Sequence, residues 1–172
     1  IREDAPDDLH KKLLGSFGQK YVMKKFNELL NSEIKIDKDK SIKILYVKDV
    51  SKENLGYDIL LTGKLNDKEL NYFVEVKSIG DKNDKSNFTE NEIKSMISNK
   101  DKYIIALVTD APDNPKIWLI TADTLFRDKC EKGFKENIDS IKNNNLMIIY
   151  IVLDANVDDV KRLVIEGNGF KI

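Results

Sequence analysis

Two runs in the middle of the chain bring acidic and basic side chains to a spacing that could support chemistry. Asp58 lies in one run of β-branched and aromatic residues, and Glu75 and Lys77 lie two residues apart in the next run. Asn66-Asp67 between them is a turn signal, so the two runs predict a β-hairpin. Counting outward from a two-residue turn places Asp58 directly opposite Glu75, and strand alternation places Lys77 on the same face as Glu75.

A facing pair of carboxylates is unfavourable unless something offsets the charge. Across a strand pair the Cβ atoms lie about 5 Å apart, and the like charges repel. A bound Mg²⁺ would offset them, because this ion prefers carboxylate, carbonyl and water oxygens. Lys77 could then stabilise a hydroxide or the negative charge that develops on a phosphorane. The alternative is a surface patch with cross-strand ion pairs.

The same count assigns side chains to the two faces of the hairpin. Leu60 and Phe73 share the face of Asp58 and Glu75, so this face is not simply exposed to solvent. Seven apolar side chains are predicted to point to the opposite face: Tyr57, Ile59, Leu61, Leu70, Tyr72, Val74 and Val76. Both runs are therefore too apolar for a ribbon on the protein surface.

Three phrases of the sequence resemble a known family. They are Gly56-Tyr57-Asp58-Ile59, Val74-Glu75-Val76-Lys77 and Phe88-Thr89-Glu90-Asn91-Glu92. In this order they resemble the PD-(D/E)XK nuclease superfamily, and in particular a branch found at the C-terminal end of larger proteins. The resemblance covers roughly residues 11–110. It implies a restriction-endonuclease-like fold and metal-dependent hydrolysis of phosphodiester bonds in nucleic acid, with DNA favoured over RNA and restriction or defence as a context.

The resemblance also implies roles for individual residues. Asp58 and Glu75 would hold one Mg²⁺ or Mn²⁺, and the carbonyl of Val76 would complete the protein ligands. Lys77 would position the attacking water or help to deprotonate it. In this superfamily the first helix often carries a glutamate that adds to the metal site. The matching position here is Gln19, whose neutral amide can hydrogen-bond a water but is a poor metal ligand.

Residues Thr89 to Glu92 have the sequence of a capping box, in which Thr89 caps a helix and Glu92 reaches back to it. The resemblance instead makes Glu92, or Asn91, part of the active-site edge. The two roles are compatible, because the N-terminus of a helix is also a favourable place for an anion.

Apolar periodicity predicts the remaining elements. A helix is expected from Leu9 to Leu30, a polar loop over 31–41, strands at 42–48, Tyr103–Val108, Ile117–Ile120 and Met147–Leu153, a helix capped by Thr121 or Asp123 that ends at Arg127, and a helix over Asp154–Ile165. Gly15 and Gly18 predict either a close approach of the first helix to the sheet or a helix that starts nearer Ser16. Trp118 is interpreted as a core or half-core residue and not as a platform for base stacking.

These elements predict an α/β fold with a mixed central sheet flanked by helices, in which the hairpin and the Tyr103 strand lie at the centre. The 172 residues suit one domain, with a core over about 9–121 and a C-terminal extension over about 122–172. No apolar run approaches the roughly 18 residues of a membrane span. Cys130 is the single cysteine, which excludes a disulfide framework within the chain and favours an intracellular setting.

Two functions from different classes remain open at this point. The first is a metal-dependent nuclease, and the second is a catalytically inactive nuclease-like module that binds nucleic acid or protein. The net charge of −1 favours the second, because dedicated DNA-binding modules usually carry a basic excess. The chain begins at Ile1 rather than at methionine, so a longer parent chain is expected, and its other domains are expected as partners.

Overall fold

The computed structural model describes residues 6–80, 87–133 and 156–172. The helices of this part are α1 (Pro6–Glu28), α2 (Glu90–Asn99), α3 (Ala122–Gly133) and α4 (Val157–Ile165). Its strands are β1 (Glu33–Asp37), β2 (Lys40–Asp49), β3 (Ile59–Leu65), β4 (Lys68–Ser78), β5 (Tyr103–Thr109), β6 (Lys116–Thr121) and β7 (Phe170–Lys171). None of these helices is both long and apolar enough to cross a membrane.

The seven strands form one sheet in which they follow chain order. Strands β4 and β5 are parallel, and every other neighbouring pair among the described strands is antiparallel. A parallel pair requires a crossover connection, and α2 lies in the segment that makes it. The prediction of an α/β fold with a mixed sheet and flanking helices is therefore confirmed, with β3, β4 and β5 at its centre.

The central hairpin has the predicted register. Asn66 and Asp67 both adopt positive φ angles, 49° and 64°, as the two-residue turns of hairpins require. Leu65 pairs with Lys68, and Ile59 at the other end of β3 pairs with Val74. Continuing this register by one residue places Asp58 opposite Glu75, as the sequence predicts.

Helices cover the two faces of the sheet and produce two apolar clusters. One cluster joins α1 to β1–β6, and the other joins α2, α3 and α4 to β5 and β6. Helix α1 runs without interruption through Gly15 and Gly18, so the alternative start near Ser16 is wrong. The predicted close approach is found at Gly18, where an added Cβ would lie 1.7 Å from Ser78 Oγ.

Three sequence predictions are wrong in the first half of the sheet. The expected loop at 31–41 contains β1, where Ile34 and Ile36 alternate with more exposed residues and pack in the core. Tyr57 lies with Phe73 rather than opposite it, with their ring centroids 4.9 Å apart. Strand alternation does not apply to Tyr57, because the chain turns at Gly56 with a φ of +83° before β3 begins.

The third error concerns the predicted strand at 42–48, whose regular alternation would place Tyr46 on the same face as Ile42 and Ile44. Its side chain is instead 56% exposed, while Ile42 and Ile44 are buried. The register between β2 and β3 shifts between Ile44 and Tyr46. Leu45 is therefore an extra residue in β2, and it inverts the alternation beyond it.

The C-terminal elements differ from the predictions mainly at their ends. Thr121 caps α3 by accepting a hydrogen bond from the backbone N–H of Thr124, and α3 continues past the predicted end at Arg127. Helix α4 begins after Asn156 with a capping box, and the tail expected after it pairs with β6 as β7. Trp118 is half-buried, which confirms its prediction as a half-core residue. The predicted strand Met147–Leu153 lies outside the described residues.

Candidate active site

Asp58 is fixed where β3 begins. Its backbone N–H donates to the carbonyl of Val74 at 2.8 Å, and its Oδ2 accepts the backbone N–H of Val76 at 2.9 Å. The N–H and C=O of a strand residue point to the same side, so the carbonyl of Val76 also faces this strand end. Strand β4 thus holds the Asp58 carboxylate beside the carbonyl of Val76, the backbone ligand that the resemblance implies.

Glu75 and Lys77 project from β4 on one face, as the two-residue spacing predicts. Glu75 is 6% exposed, and Lys77 Nζ lies 3.3 Å from its Oε1. The same ammonium lies 2.5 Å from Glu92 Oε1 and 5.5 Å from the centre of the Phe88 ring. Lys77 is therefore held between two carboxylates and an aromatic face.

Glu92 occupies both of the positions that the sequence left open, the cap of α2 and the edge of the cluster. Its Oε2 accepts the hydroxyl of Thr89 at 2.9 Å, and its backbone N–H donates to Thr89 Oγ1, which completes the predicted capping box of α2. Its Oε1 contacts Lys77, so the same side chain lies at the edge of the cluster. Asn91 is exposed, and its side-chain amide instead donates to Asn54 Oδ1 at 3.4 Å.

Tyr103 and Gly56 support this cluster and were not identified from the sequence. The buried Tyr103 hydroxyl donates to the carbonyl of Gly56 at 2.7 Å, two residues before Asp58. Gly56 also packs on the first turn of α2, where an added Cβ would lie 2.4 Å from the carbonyl oxygen of Asn91. Tyr103 lies in an apolar run, so only its hydroxyl distinguished it from an ordinary core residue. Together these contacts fix the start of β3 against β5 and α2.

Gln19 does not join the cluster. It follows Gly18 on α1, and this helix packs against the sheet face that carries Val76 and Ser78, opposite to Glu75. Its amide is buried and lies close enough to Asp49 to help lower the pKa of that carboxyl. The structure thus brings together Asp58, Glu75, Lys77 and Glu92, with Val76 at the backbone, and leaves Gln19 on the other side of the sheet.

Burial dominates the electrostatics of the cluster. It raises the pKa of Glu75 well above its ordinary value, and the nearby charge of Asp58 adds to this effect. Burial likewise raises the pKa of Asp58. Burial alone would lower the pKa of Lys77, but Glu75 and Glu92 together outweigh it and raise that pKa, so the amine is protonated. Three carboxyl groups thus share one ammonium, which leaves an excess of acidic groups at the site.

These residues fit a divalent cation of the magnesium class. Asp58, Glu75 and the carbonyl of Val76 offer oxygen ligands, and Mg²⁺ is often held by one or two carboxylates together with waters and substrate phosphates. Across 6–80, 87–133 and 156–172, no three histidine, cysteine or acidic side chains are grouped so as to hold a metal ion. The protein would therefore supply part of the coordination, and water and phosphate oxygens would supply the rest.

The raised pKa of Glu75 predicts how stability depends on pH in chelator-treated protein. Between the unfolded pKa near 4.5 and the higher native pKa, the native state binds more protons than the unfolded chain. The free energy of unfolding should therefore fall as pH rises above about 4.5 toward the native pKa. Asp58 adds to this slope, because its pKa shifts in the same direction.

The variant Glu75→Gln isolates this contribution, since it removes the titrating group and keeps the shape. Urea unfolding of both proteins in EDTA should show a smaller loss of stability with pH in the variant. At alkaline pH the variant should also be the more stable protein, because it does not bury a negative charge beside Asp58. Equal slopes for the two proteins would contradict the assignment of the raised pKa to Glu75.

Comparison with known proteins places the chain in a family. Residues 18–120 match the family model described as Protein NO VEIN, C-terminal. The match covers more than half of the chain and includes Asp58, Glu75, Lys77 and Glu92. No curated protein and no solved structure matches the chain. The family's description refers to the C-terminal part of the larger protein for which it is named. By the extent of this match, the chain belongs to the NO VEIN C-terminal family.

Proposed function

We propose that this domain is a nuclease of the PD-(D/E)XK type, which hydrolyses phosphodiester bonds in nucleic acid with the help of Mg²⁺ or Mn²⁺. The observation that carries the proposal is the convergence of Asp58, Glu75 and Lys77 at one strand end, where two carboxylates face each other in a largely buried setting. A surface ion-pair patch does not explain why two acidic groups are buried together.

Each residue has a role that follows from its contacts. Asp58 and Glu75, with the carbonyl of Val76, would hold the cation. When bound, such an ion would lower the pKa of a coordinated water and offset negative charge on the scissile phosphate. Lys77 is protonated, so it would donate hydrogen bonds that orient the attacking water and stabilise charge on the phosphoryl oxygens. Its raised pKa favours this positioning role over the alternative role as a base.

The acidic excess of the site supports a requirement for the cation. Without it, Asp58 and Glu92 would repel a phosphodiester, and Glu75 would add to this repulsion whenever it is ionised. Lys77 is the one neighbouring cation within ion-pair distance among the described residues. A divalent ion would reverse this balance and allow a phosphate to approach. DNA is the favoured substrate, and the other domains of a longer parent chain are the proposed protein partners.

Cleavage of labelled single- and double-stranded DNA and RNA tests the proposal. The wild type should cleave one of these only when Mg²⁺ or Mn²⁺ is added. Lys77→Ala should lose about 10²–10³-fold in rate, as expected when one electrostatic donor is removed, while cation binding is retained. Lys94→Ala is the matched control, because Lys94 lies exposed on α2 and its ammonium pairs with Glu90, away from the cluster. Full activity of the Lys77 variant would refute the proposal.

The second candidate is a catalytically inactive module that uses the same fold for binding. It is favoured by the position of Gln19, which supplies no further group to the cluster, and by the net charge of −1. Titration calorimetry with Mn²⁺ separates the two functions. A nuclease should show a heat of Mn²⁺ binding that Glu75→Gln abolishes. An inactive module should instead bind nucleic acid when no cation is present.

A further inference from the structure

One face of β2 and β3 continues outward from the candidate active site and is open. The extra residue Leu45 inverts the alternation of β2, and as a result Lys43, Tyr46 and Lys48 all point to this face. Without the bulge, Lys43 would point away from the other two. Bulges commonly redirect side chains next to functional sites. The shift therefore builds a row of two cations and an aromatic ring that a regular strand could not present.

The neighbouring strand extends this row. Lys64 of β3 lies directly opposite Lys43, and Leu60 lies opposite Lys48. Leu60 is two residues from Asp58, so the row begins beside the carboxylates of the site. From Asp58 to Lys64 it spans about 20 Å at the usual rise of a strand. We call Lys43, Tyr46, Lys48 and Lys64 the cationic row.

The charges of this row are only partly balanced within the described part of the protein. Two lysines directly opposite each other on an antiparallel pair repel. Lys64 has partial compensation from Asp67, at 3.9 Å, and from Glu69, which lies opposite it on β4. Glu33 of β1 lies directly opposite Lys43 and compensates it in part. Neither Lys43 nor Lys48 forms an ion pair at contact distance among the described residues, and both are exposed. Tyr46 lies between them with 56% of its surface exposed.

We propose that the cationic row binds the nucleic-acid strand that leads away from the scissile phosphate. The inference rests on the proposed function for the identity of the ligand. Its own support is the complementarity of a row of exposed lysines with a polyanion, and the exposed ring of Tyr46, on which a base can stack. Spaced lysines with an interleaved aromatic residue are typical of surfaces that bind single strands.

Binding is tested without cleavage, by fluorescence anisotropy of a labelled single-stranded DNA in EDTA. The double variant Lys43→Glu/Lys48→Glu should weaken binding at least tenfold and reduce the slope of log affinity against log salt by about 1.4, as expected when two contacts to a single strand are lost. The matched control is Lys20→Glu/Lys24→Glu, which makes the same charge change on exposed positions of α1 on the other side of the sheet. The control should stay within twofold of wild type.

Tyr46→Ala tests the aromatic contact and should weaken single-stranded binding about tenfold while changing the salt slope little. Equal losses in the row variant and the α1 control would overturn the inference, as would a wild type that binds no nucleic acid. The inference would also be overturned if polyglutamate bound as tightly as single-stranded DNA and Tyr46→Ala had no effect. That result would indicate that the row binds an acidic protein.

The result is separable from the fate of the nuclease proposal. If the wild type never cleaves but the row variant loses binding, the result would support the cationic row and reject catalysis. Cleavage by a wild type whose binding is unaffected by the row variant would support catalysis and reject the row.

Discussion

Asp58→Asn is expected to abolish both cation binding and cleavage, with a fall in rate of at least about a thousandfold. The asparagine oxygen can still accept the backbone N–H of Val76, so the start of β3 should stay in place. What the variant removes is one of two facing negative charges. Once the amide replaces the Asp58 carboxylate, Glu75 is the one carboxylate of this facing pair that remains for the cation.

Isothermal titration with Mn²⁺ and a cleavage assay on the same preparation measure both losses. Asp49→Asn is the matched control, because Asp49 ends β2 near the same strand ends but is exposed and bonded to Ser51. This variant should bind the cation and cleave as the wild type does. Wild-type Mn²⁺ affinity in Asp58→Asn would rule out Asp58 as a ligand. Lys77→Ala should bind the cation yet cleave slowly. Comparison of Asp58→Asn with Lys77→Ala therefore separates cation binding from the cleavage step.

The second large effect is expected on stability, from Gly56→Ala. Gly56 has a φ of +83°, a conformation that costs an L-residue about 1–2 kcal/mol. An added Cβ would also lie 2.4 Å from the carbonyl oxygen of Asn91, which is backbone and cannot swing aside. We expect the free energy of unfolding to fall by about 3 kcal/mol or more, since the conformational cost and the steric clash both act.

Gly167→Ala is the control that separates these two contributions. Gly167 has nearly the same φ, +84°, but an added Cβ would meet nothing within 4 Å among the described residues. Its loss should therefore be limited to the conformational cost of about 1–2 kcal/mol. Urea unfolding of the two variants and the wild type measures the difference. Equal losses at the two positions would show that the packing of Gly56 on α2 contributes nothing.

Features that depend on near neighbours in sequence were predictable. The hairpin register follows from Asn66-Asp67 and the flanking strands, and the cap of α2 follows from Thr89 and Glu92, three residues apart. The convergence of Asp58 with Glu75 follows from the register alone, because strand alternation is strict within a regular pair. The local pattern therefore gave the main geometry of the candidate site.

Features that depend on an irregularity or on distant packing were not predictable. A single extra residue, Leu45, inverts the outer part of β2, and nothing in its apolar side chain signals a bulge. Tyr57 changes sides because Gly56 turns the chain to fit against α2. The side of the sheet that Gln19 occupies is set by the packing of α1 on β4, which no short motif encodes. Tyr103 acquires its role only when β5 is placed beside the start of β3.

The two oxygens of Glu92 affect how a mutational survey of this family would be interpreted. One oxygen accepts from Thr89 at the start of α2, and both oxygens contact Lys77, the other more closely. An alanine at this position would release the helix start and the ammonium at once, so lost activity would not reveal whether Glu92 approaches substrate. Thr89→Val removes the hydroxyl of the cap but keeps the Glu92 carboxylate beside Lys77, so the difference between the two variants is the quantity to attribute to the site. A substitution that abolishes activity at this position can therefore act by destabilising the helix as well as by removing a group from the site.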